Sequence, residues 1–305
     1  MKIIAMLPVK NESWVLQHCL RSLSFCDEVL AIDDNSDDDT FNILQKFNCS
    51  IITIDTKPRV GWKEFEIRSF LLKEARRREA THILAIDGDE MFSDAFVKDA
   101  RNIISNLKVG ESLALPWVNL VDKYHIHSNP TMKPFIMCDD KVSTFKETFM
   151  HVPRVPSYKK GATLDLPYSV IHFQHLNKAR NTYKRVWYMM SELLNGRRHP
   201  IRINATYQYK IPKLIEYPVA RLTSQDFPDP KNDRGNWQKD AVYKLSHQHG
   251  ISFFEPLDIW NIPELHKDFL KENHREPKPV IAPSWLLTIN NFKNKLKDFK
   301  YEKFS

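Results

Sequence analysis

The chain predicts an α/β fold: a mostly parallel sheet with helices on both faces, followed by a helical C-terminal appendage. Three observations lead there. Short apolar runs alternate with segments of helical period up to about residue 117, and repeated strand–helix units make parallel sheets covered on both sides. The run ending at Asp87-Gly88-Asp89-Glu90 brings carboxylates to a strand's carboxyl end, the edge at which open α/β sheets bind ligands. After Val118 prolines at 130, 134, 153, 156 and 167 break the pattern into loops and short strands.

Taken in order, residues 2–9 form an apolar strand. Leu16, Cys19, Leu20 and Leu23 then follow at helical spacing. Residues 28–32 make a second strand that ends in the acidic loop Asp33 to Thr40, with Asp38 or Asp39 as helix cap. A short helix carrying Phe41, Leu44 and Phe47 leads to a third strand over 50–54. The next helix turns Ile67, Phe70, Leu71 and Ala75 inward and ends in Arg76-Arg77-Arg78. Residues 82–86 are the fourth strand. A helix with Val97, Ala100, Ile104 and Leu107 precedes a fifth strand at 112–117. Right-handed crossovers follow by default, which makes the first half Rossmann-like. Val170 to Phe173 is a later short strand, and 181–194 an aromatic-rich helix. The expected divisions are 1–117, the Rossmann-like half; 118–200, the loops and short strands that continue it; and 201–305, a helical appendage.

Hydrophobic residues at 42% and charged residues at 27% are ordinary for a packed globular core. No apolar run approaches the ~20 residues that span a bilayer. The opening apolar stretch meets Lys10 and Glu12 at once and reads as a core strand rather than a secretory signal. Four cysteines without metal spacing read as reduced, mostly buried thiols, so a cytoplasmic location is expected and the sequons at Asn11, Asn48 and Asn204 carry no weight. The net charge of +7 favours an anionic partner. The basic clusters at 76–78, at 197–198 and from Lys293 to Lys303 read first as solvated helix faces.

Seven glycines occur, and neither GxGxxG nor GxxxxGK[ST] is present. The usual backbone cradles for phosphate are therefore missing. A nucleotide diphosphate on this sheet needs a cation or side chains instead. Asp87 and Asp89 repel each other unless a positive species lies between them, and a hard divalent cation with oxygen ligands suits that place. Asp33 and Asp34 end the second strand, where an acid typically accepts from a ribose hydroxyl or a base. Arg68 either reaches a phosphate or pairs with Glu64.

Together these residues resemble family 2 glycosyltransferases of the GT-A fold. The match runs through Leu7 to Glu12, Asp27 to Thr40, Glu66 to Phe70, and Ile83 to Glu90. The resemblance implies that Pro8, Glu12 and Asp34 contact base and ribose, that Arg68 stabilises the diphosphate, and that Asp87 and Asp89 form a DxD pair with Asp89 the direct ligand of Mn²⁺ or Mg²⁺. It also implies that His172 completes the metal shell. The implied chemistry is an inverting transfer of one sugar from a nucleotide-sugar, a UDP-sugar favoured. Acceptors in view are a surface glycan, a lipid-linked saccharide at a peripheral membrane contact, a protein, or hydroxylated bases in DNA as in a phage-type enzyme. The alternative of another class is a non-catalytic GT-A domain that only binds nucleotide or nucleic acid. The chain departs from the family where many relatives carry a His-Glu base, since His151-Val152-Pro153 stands there. Asp140 is the favoured substitute, with Asp139, Glu147 and His151 behind it. The QxxRW motif and membrane helices of processive synthases are missing.

Overall fold

The computed structural model describes residues 1–53, 63–128, 130–156, 159–207, 213–233, 237–283 and 286. Its main sheet starts from β1 (Ile3–Val9), a run of seven apolar residues, all buried. Such a strand can only be central, with both faces covered. β2 (Glu28–Asp33), β3 (Ser50–Thr53) and β4 (His82–Ala85) continue the parallel part, and the strand order β3-β2-β1-β4-β8-β6-β10-β5 reverses direction of growth between β1 and β4. The remaining members are β5 (Glu90–Phe92), β6 (Glu111–Asn119), β8 (Thr131–Cys138), β9 (Lys159–Thr163) and β10 (Val170–His172). β8 runs antiparallel to both β4 and β6, whereas β10 and β9 run parallel to β6. β7 (His125–His127) and β11 (Leu214–Glu216) make a separate two-stranded sheet.

β8 was hidden in the sequence by Pro134, which lacks the amide a central strand needs. The register of β8 on β6 passes from Leu113–Ile136 to Ala114–Pro134, so Phe135 is the extra residue of a bulge and Pro134 stands next to it.

Helices α1 (Leu16–Ser22), α2 (Thr40–Lys46), α3 (Glu64–Arg77) and α4 (Asp94–Ser105) connect the strands. Two inward faces differ from expectation. In α2 the buried residues are Thr40, Ile43 and Leu44, while Phe47 is exposed; in α3 Arg68 and Leu72 turn inward and Phe70 is exposed. A hydrogen-bonded cluster at the sheet edge holds the Arg68 head, so its helix face is partly polar. Ile54 lies outside the described residues, as does the lysine-rich stretch from Lys293 to Lys303.

Contacts group the described residues into two compact units. The first falls within Met1–Thr56, Lys63–Asn177 and Pro212–Gly235, the second within Lys178–Ile211 and Asn236–Ser305. The divisions expected at 117/118 and 200/201 cut through β6 and through the second unit. That second unit packs α5 (Lys178–Asn195), α6 (Pro200–Tyr207), α7 (Trp237–His249) and α8 (Pro263–Asn273) around Val186, Trp187, Met190, Val242, Phe254 and Phe269. Among the described residues no helix is long and apolar enough to cross a membrane. All four cysteines are free; Cys19 and Cys138 are buried, Cys26 and Cys49 half-buried. Burial pushes the Cys49 thiol up to about 11, so it stays protonated at neutral pH.

Candidate active site

The parallel strands β1, β2, β4, β6 and β10 all end at one edge of the sheet. The crevice between β1 and β4, where the strand order reverses, is the place such sheets hold ligands. Glu12 follows β1 and Asp87 to Asp89 follow β4. The two segments meet at Gly88: a Cβ there would stand 3.0 Å from Val9 Cγ2 and 3.1 Å from Glu12 Cγ. A larger residue there would push the Val9 and Glu12 side chains aside by a few tenths of an ångström.

The acidic loop after β2 clamps the loop after β1. Asn11 N donates to Ser36 Oγ (2.9 Å), Asn11 Nδ2 to Asp37 Oδ1 (2.6 Å), Glu12 N to Thr40 Oγ1 (2.8 Å) and Ser13 N to Asp38 Oδ2 (3.0 Å). Asp38 also accepts from Thr40 N, so it serves the helix start, while Asp39 takes Asn42 Nδ2 and makes no cap bond. Burial would raise the Asp38 carboxyl, but its bonds from Thr40 and Ser13 hold it below the usual carboxylate range. Asp33 accepts from Ser36 Oγ at 2.5 Å and is used up in this turn. Asp34 is buried at the edge, its amide bonded to Val9 O at 3.0 Å, one residue past Pro8.

Next to this clamp lies a chain of ion pairs. Arg68 Nε meets Glu64 Oε1 at 3.0 Å and its Nη2 meets Asp87 Oδ1 at 3.3 Å. Asp87 Oδ2 meets Arg154 Nη2 at 3.0 Å, and Arg154 Nη1 donates to Glu90 Oε2 at 2.8 Å. Glu90 Oε1 accepts from Trp117 Nε1 at 2.5 Å, and its Oε2 also accepts the Asp87 amide at 3.0 Å. Glu64 Oε2 takes the amide of Val152 at 3.1 Å, which brings the 151–154 loop to the same edge. Burial alone would loosen the proton on Arg154; the carboxylates of Asp87 and Glu90 outweigh it and raise the guanidinium above its ordinary value. Arg68 thus pairs with both Glu64 and Asp87, and it does so buried rather than at the surface.

Asp89 takes a different partner. Its Oδ2 lies 3.4 Å from His172 Nε2, and both residues are buried. Pairing of β5 with β10 sets Glu90 opposite His172, and Phe173 N donates to Asp89 O at 2.9 Å. His172 Nδ1 lies 2.7 Å from Asn119 Oδ1, and the imidazole stacks on Trp117 with ring centroids 4.2 Å apart.

The structure therefore brings Pro8, Glu12, Asp34, Arg68, Asp87, Asp89 and His172 to one edge. It does not bring Asp140 there. β8 is antiparallel to β4 and pairs Cys138 with His82, so Asp139 and Asp140 stand at the opposite edge, where Asp139 N donates to Thr81 O. At ~3.3 Å per residue, the length of β4 separates them from Asp87. Asp140 is spent on the turn it begins, accepting from Val142 N, Ser143 N and Ser143 Oγ. Asp139 is held by Arg76. Glu147 is exposed in a loop. Of the four substitutes, His151 alone shares the loop of Arg154, in a left-handed backbone with φ 61°. Sequence reasoning named Glu64 as a partner of Arg68 and missed Arg154, Trp117 and Asn119. Glu90 was in the quoted motif but had no role there. Only strand order places these residues together, so no local pattern marks them.

Asp87 and Asp89 were expected to grip a cation as a pair. Both Asp87 oxygens instead face arginines, and among the described residues no three His, Cys, Asp or Glu side chains form a group that could hold a metal. What remains is the Asp89–His172 pair.

No family model matches the chain. Among solved structures, S. aureus TarS shares 17% identity over 98% of this chain and 54% of its own, with a TM-score of 0.40. The chain thus spans about half the length of that protein. S. aureus TarS 1-349 in complex with UDP shares 16% identity over 98% of this chain and 88% of its own, with a TM-score of 0.39. Glucosyl-3-phosphoglycerate synthase from Mycobacterium tuberculosis, in complex with Mn²⁺ and UDP-glucose, shares 17% over 37% of this chain and 43% of its own, with a TM-score of 0.26.

Proposed function

We propose that this edge binds a nucleotide-activated sugar, a UDP-sugar in preference, and that the chain transfers one sugar with inversion to a hydroxyl of a saccharide, lipid-linked or protein acceptor. The observation that carries the reading is the Asp89–His172 pair at the strands' carboxyl edge, two residues from Asp87, which Arg68 and Arg154 hold. Asp34, with Pro8 and Glu12, accepts from and packs against the nucleoside. Arg68 and Arg154 offer donors to the diphosphate, for which a guanidinium is suited by its planar fork.

Asp89 and His172 are two ligands of types suited to Mn²⁺ or Mg²⁺, and the rest of the shell would come from the donor's diphosphate. With Asn119 Oδ1 as acceptor, His172 Nδ1 carries a hydrogen, and the neutral imidazole then has Nε2 as its acceptor atom on the side of Asp89. An imidazole nitrogen and a carboxylate oxygen side by side are ligand atoms that a divalent cation would take. Asp89 and His172 would hold it, and the ion would supply Lewis-acid stabilisation of the departing diphosphate. His151 Nδ1 or Nε2 takes the acceptor's proton in this reading, as a general base reaching in from the 151–154 loop.

A thermal-shift series with UDP-sugars, with and without Mn²⁺, tests it. A bound donor at about 100 times its Kd adds about 2.7 kcal/mol, and this shift is expected only with metal present. Asp89→Ala should keep the fold by circular dichroism yet lose both the metal-dependent shift and UDP release. Transfer activity retained in that variant, or no donor shift in the wild type, would overturn the reading.

A further inference from the structure

The His172 ring is held from three sides. Asn119 Oδ1 lies 2.7 Å from Nδ1, Asp89 Oδ2 lies 3.4 Å from Nε2, and Trp117 stacks against the ring with planes 25° apart. The register of the sheet makes this possible. Asn119 and His172 are direct partners on the parallel pair β6 and β10, and Leu120 N donates to His172 O at 3.1 Å. A slip of one residue would set Val118 opposite the histidine and remove the acceptor. Asn119 is itself buried.

We propose that Asn119 is a positioning residue. It holds His172 in the tautomer with hydrogen on Nδ1, leaves the Nε2 lone pair facing Asp89, and so sets both the affinity of this edge for a divalent cation and its preference for Mn²⁺ over Mg²⁺. The inference rests on the metal-dependent reading above. Ligating histidines commonly pass their other ring hydrogen to an acceptor, and loss of that acceptor weakens metal binding. The preference follows because Mg²⁺ favours an all-oxygen, largely hydrated shell; a well-aimed imidazole therefore helps Mn²⁺ more. The opposite amide orientation would donate Nδ2–H to Nδ1, move the ring hydrogen to Nε2 and point a donor at Asp89. Asn119 would then work against the cation.

The two cases separate in a titration of Mn²⁺ followed by loss of the free-ion electron paramagnetic resonance signal, with UDP present and no turnover. Asn119→Leu removes the acceptor, and Asn119→Asp keeps one. Asn119→Leu is expected to weaken Mn²⁺ binding by roughly 10- to 100-fold, to weaken Mg²⁺ (read by competition) by less, and Asn119→Asp is expected to stay within a few-fold of wild type. If Asn119→Leu does not fold, Asn119→Ala, which brings no new bulk against Trp117, carries the same expectation. Mn²⁺ binding equal to wild type in Asn119→Leu or Asn119→Ala, or tighter, overturns the role of Asn119 and leaves the metal reading standing. A wild type that takes up no Mn²⁺ overturns the metal reading itself, and this inference with it.

Discussion

Asp87 and Asp89 are two residues apart and share one turn, yet they end in different chemistry. Asp87 stands between two guanidiniums, while Asp89 faces an imidazole. Arg154 makes the difference, since it bridges Asp87 to the wholly buried Glu90. Removing it leaves the buried Glu90 carboxylate without its ion-pair partner, which typically costs 3–5 kcal/mol. Arg154→Gln should therefore lower stability in urea by about 3 kcal/mol, and millimolar Mn²⁺ should return part of the loss by restoring positive charge. Equal loss with and without Mn²⁺ would argue against a cation at this edge. His151 gives a kinetic test instead. His151→Ala should slow transfer to acceptor by roughly 100-fold, the usual scale for a general base, and leave the UDP-sugar thermal shift unchanged. A normal transfer rate would remove His151 from the reaction.

At the scale of elements, the opposite edge has its own ion pairs, and they join α3 to β8. Arg76 Nη2 meets Asp139 Oδ1 at 2.7 Å and its Nε meets Oδ2 at 3.0 Å, with the carboxylate fully buried. Arg77 pairs with Glu74, and Arg78 with Glu28 and Glu74. The triple-arginine run that ends α3 thus serves the fold. Burial raises the Asp139 carboxyl, but hydrogen bonds from Arg76 and Lys141 outweigh it and hold the group below its ordinary 3.8. A depressed folded value means that the carboxylate stabilises the fold above the unfolded value and ceases to do so as pH falls through the folded one. Asp139→Asn should thus cost about 3 kcal/mol at pH 7, with the gap to wild type closing below 3.8. Urea denaturation at several pH values reads this directly, and a gap that persisted in acid would show that the contact acts by packing alone.

Across the whole molecule the chain leaves the first unit after Asn177 and returns to it between Pro212 and Gly235. The returning segment pairs β11 with β7, places Leu222 in a cluster with Trp14, Met91, Val118 and Phe173, and bonds Ser224 N to Asp94 Oδ2 at 2.6 Å. The second unit has a separate core that includes Phe254. Large-to-small changes in such cores cost about 3 kcal/mol. Leu222→Ala should lower the unfolding transition of the first unit by that amount, and Phe254→Ala that of the second. Calorimetry on both variants distinguishes them; a single transition moved equally by either would mean that the two cores unfold as one.

The apolar runs were enough to mark β1, β2 and β4, and helical spacing marked α1, α3 and α5, because strand and helix periods are local properties of the chain. The same holds for the Asp87-Gly88-Asp89 turn, whose place at a strand's carboxyl end follows from the run before it. Phe47 and Phe70 were misplaced since period fixes a helix's stripe only to within a residue or so, and polar partners elsewhere choose between neighbouring faces. β8 escaped because Pro134 reads as a strand breaker, and the bulge beside it leaves no mark in the sequence. Asp140 was read as an active-site base because nothing in the chain around it reveals that its strand runs backwards against β4. The direction of one strand, set by how the sheet closes, decided which carboxylates share an edge, and with that brought Arg154 and Asn119 to the site and took Asp140 away.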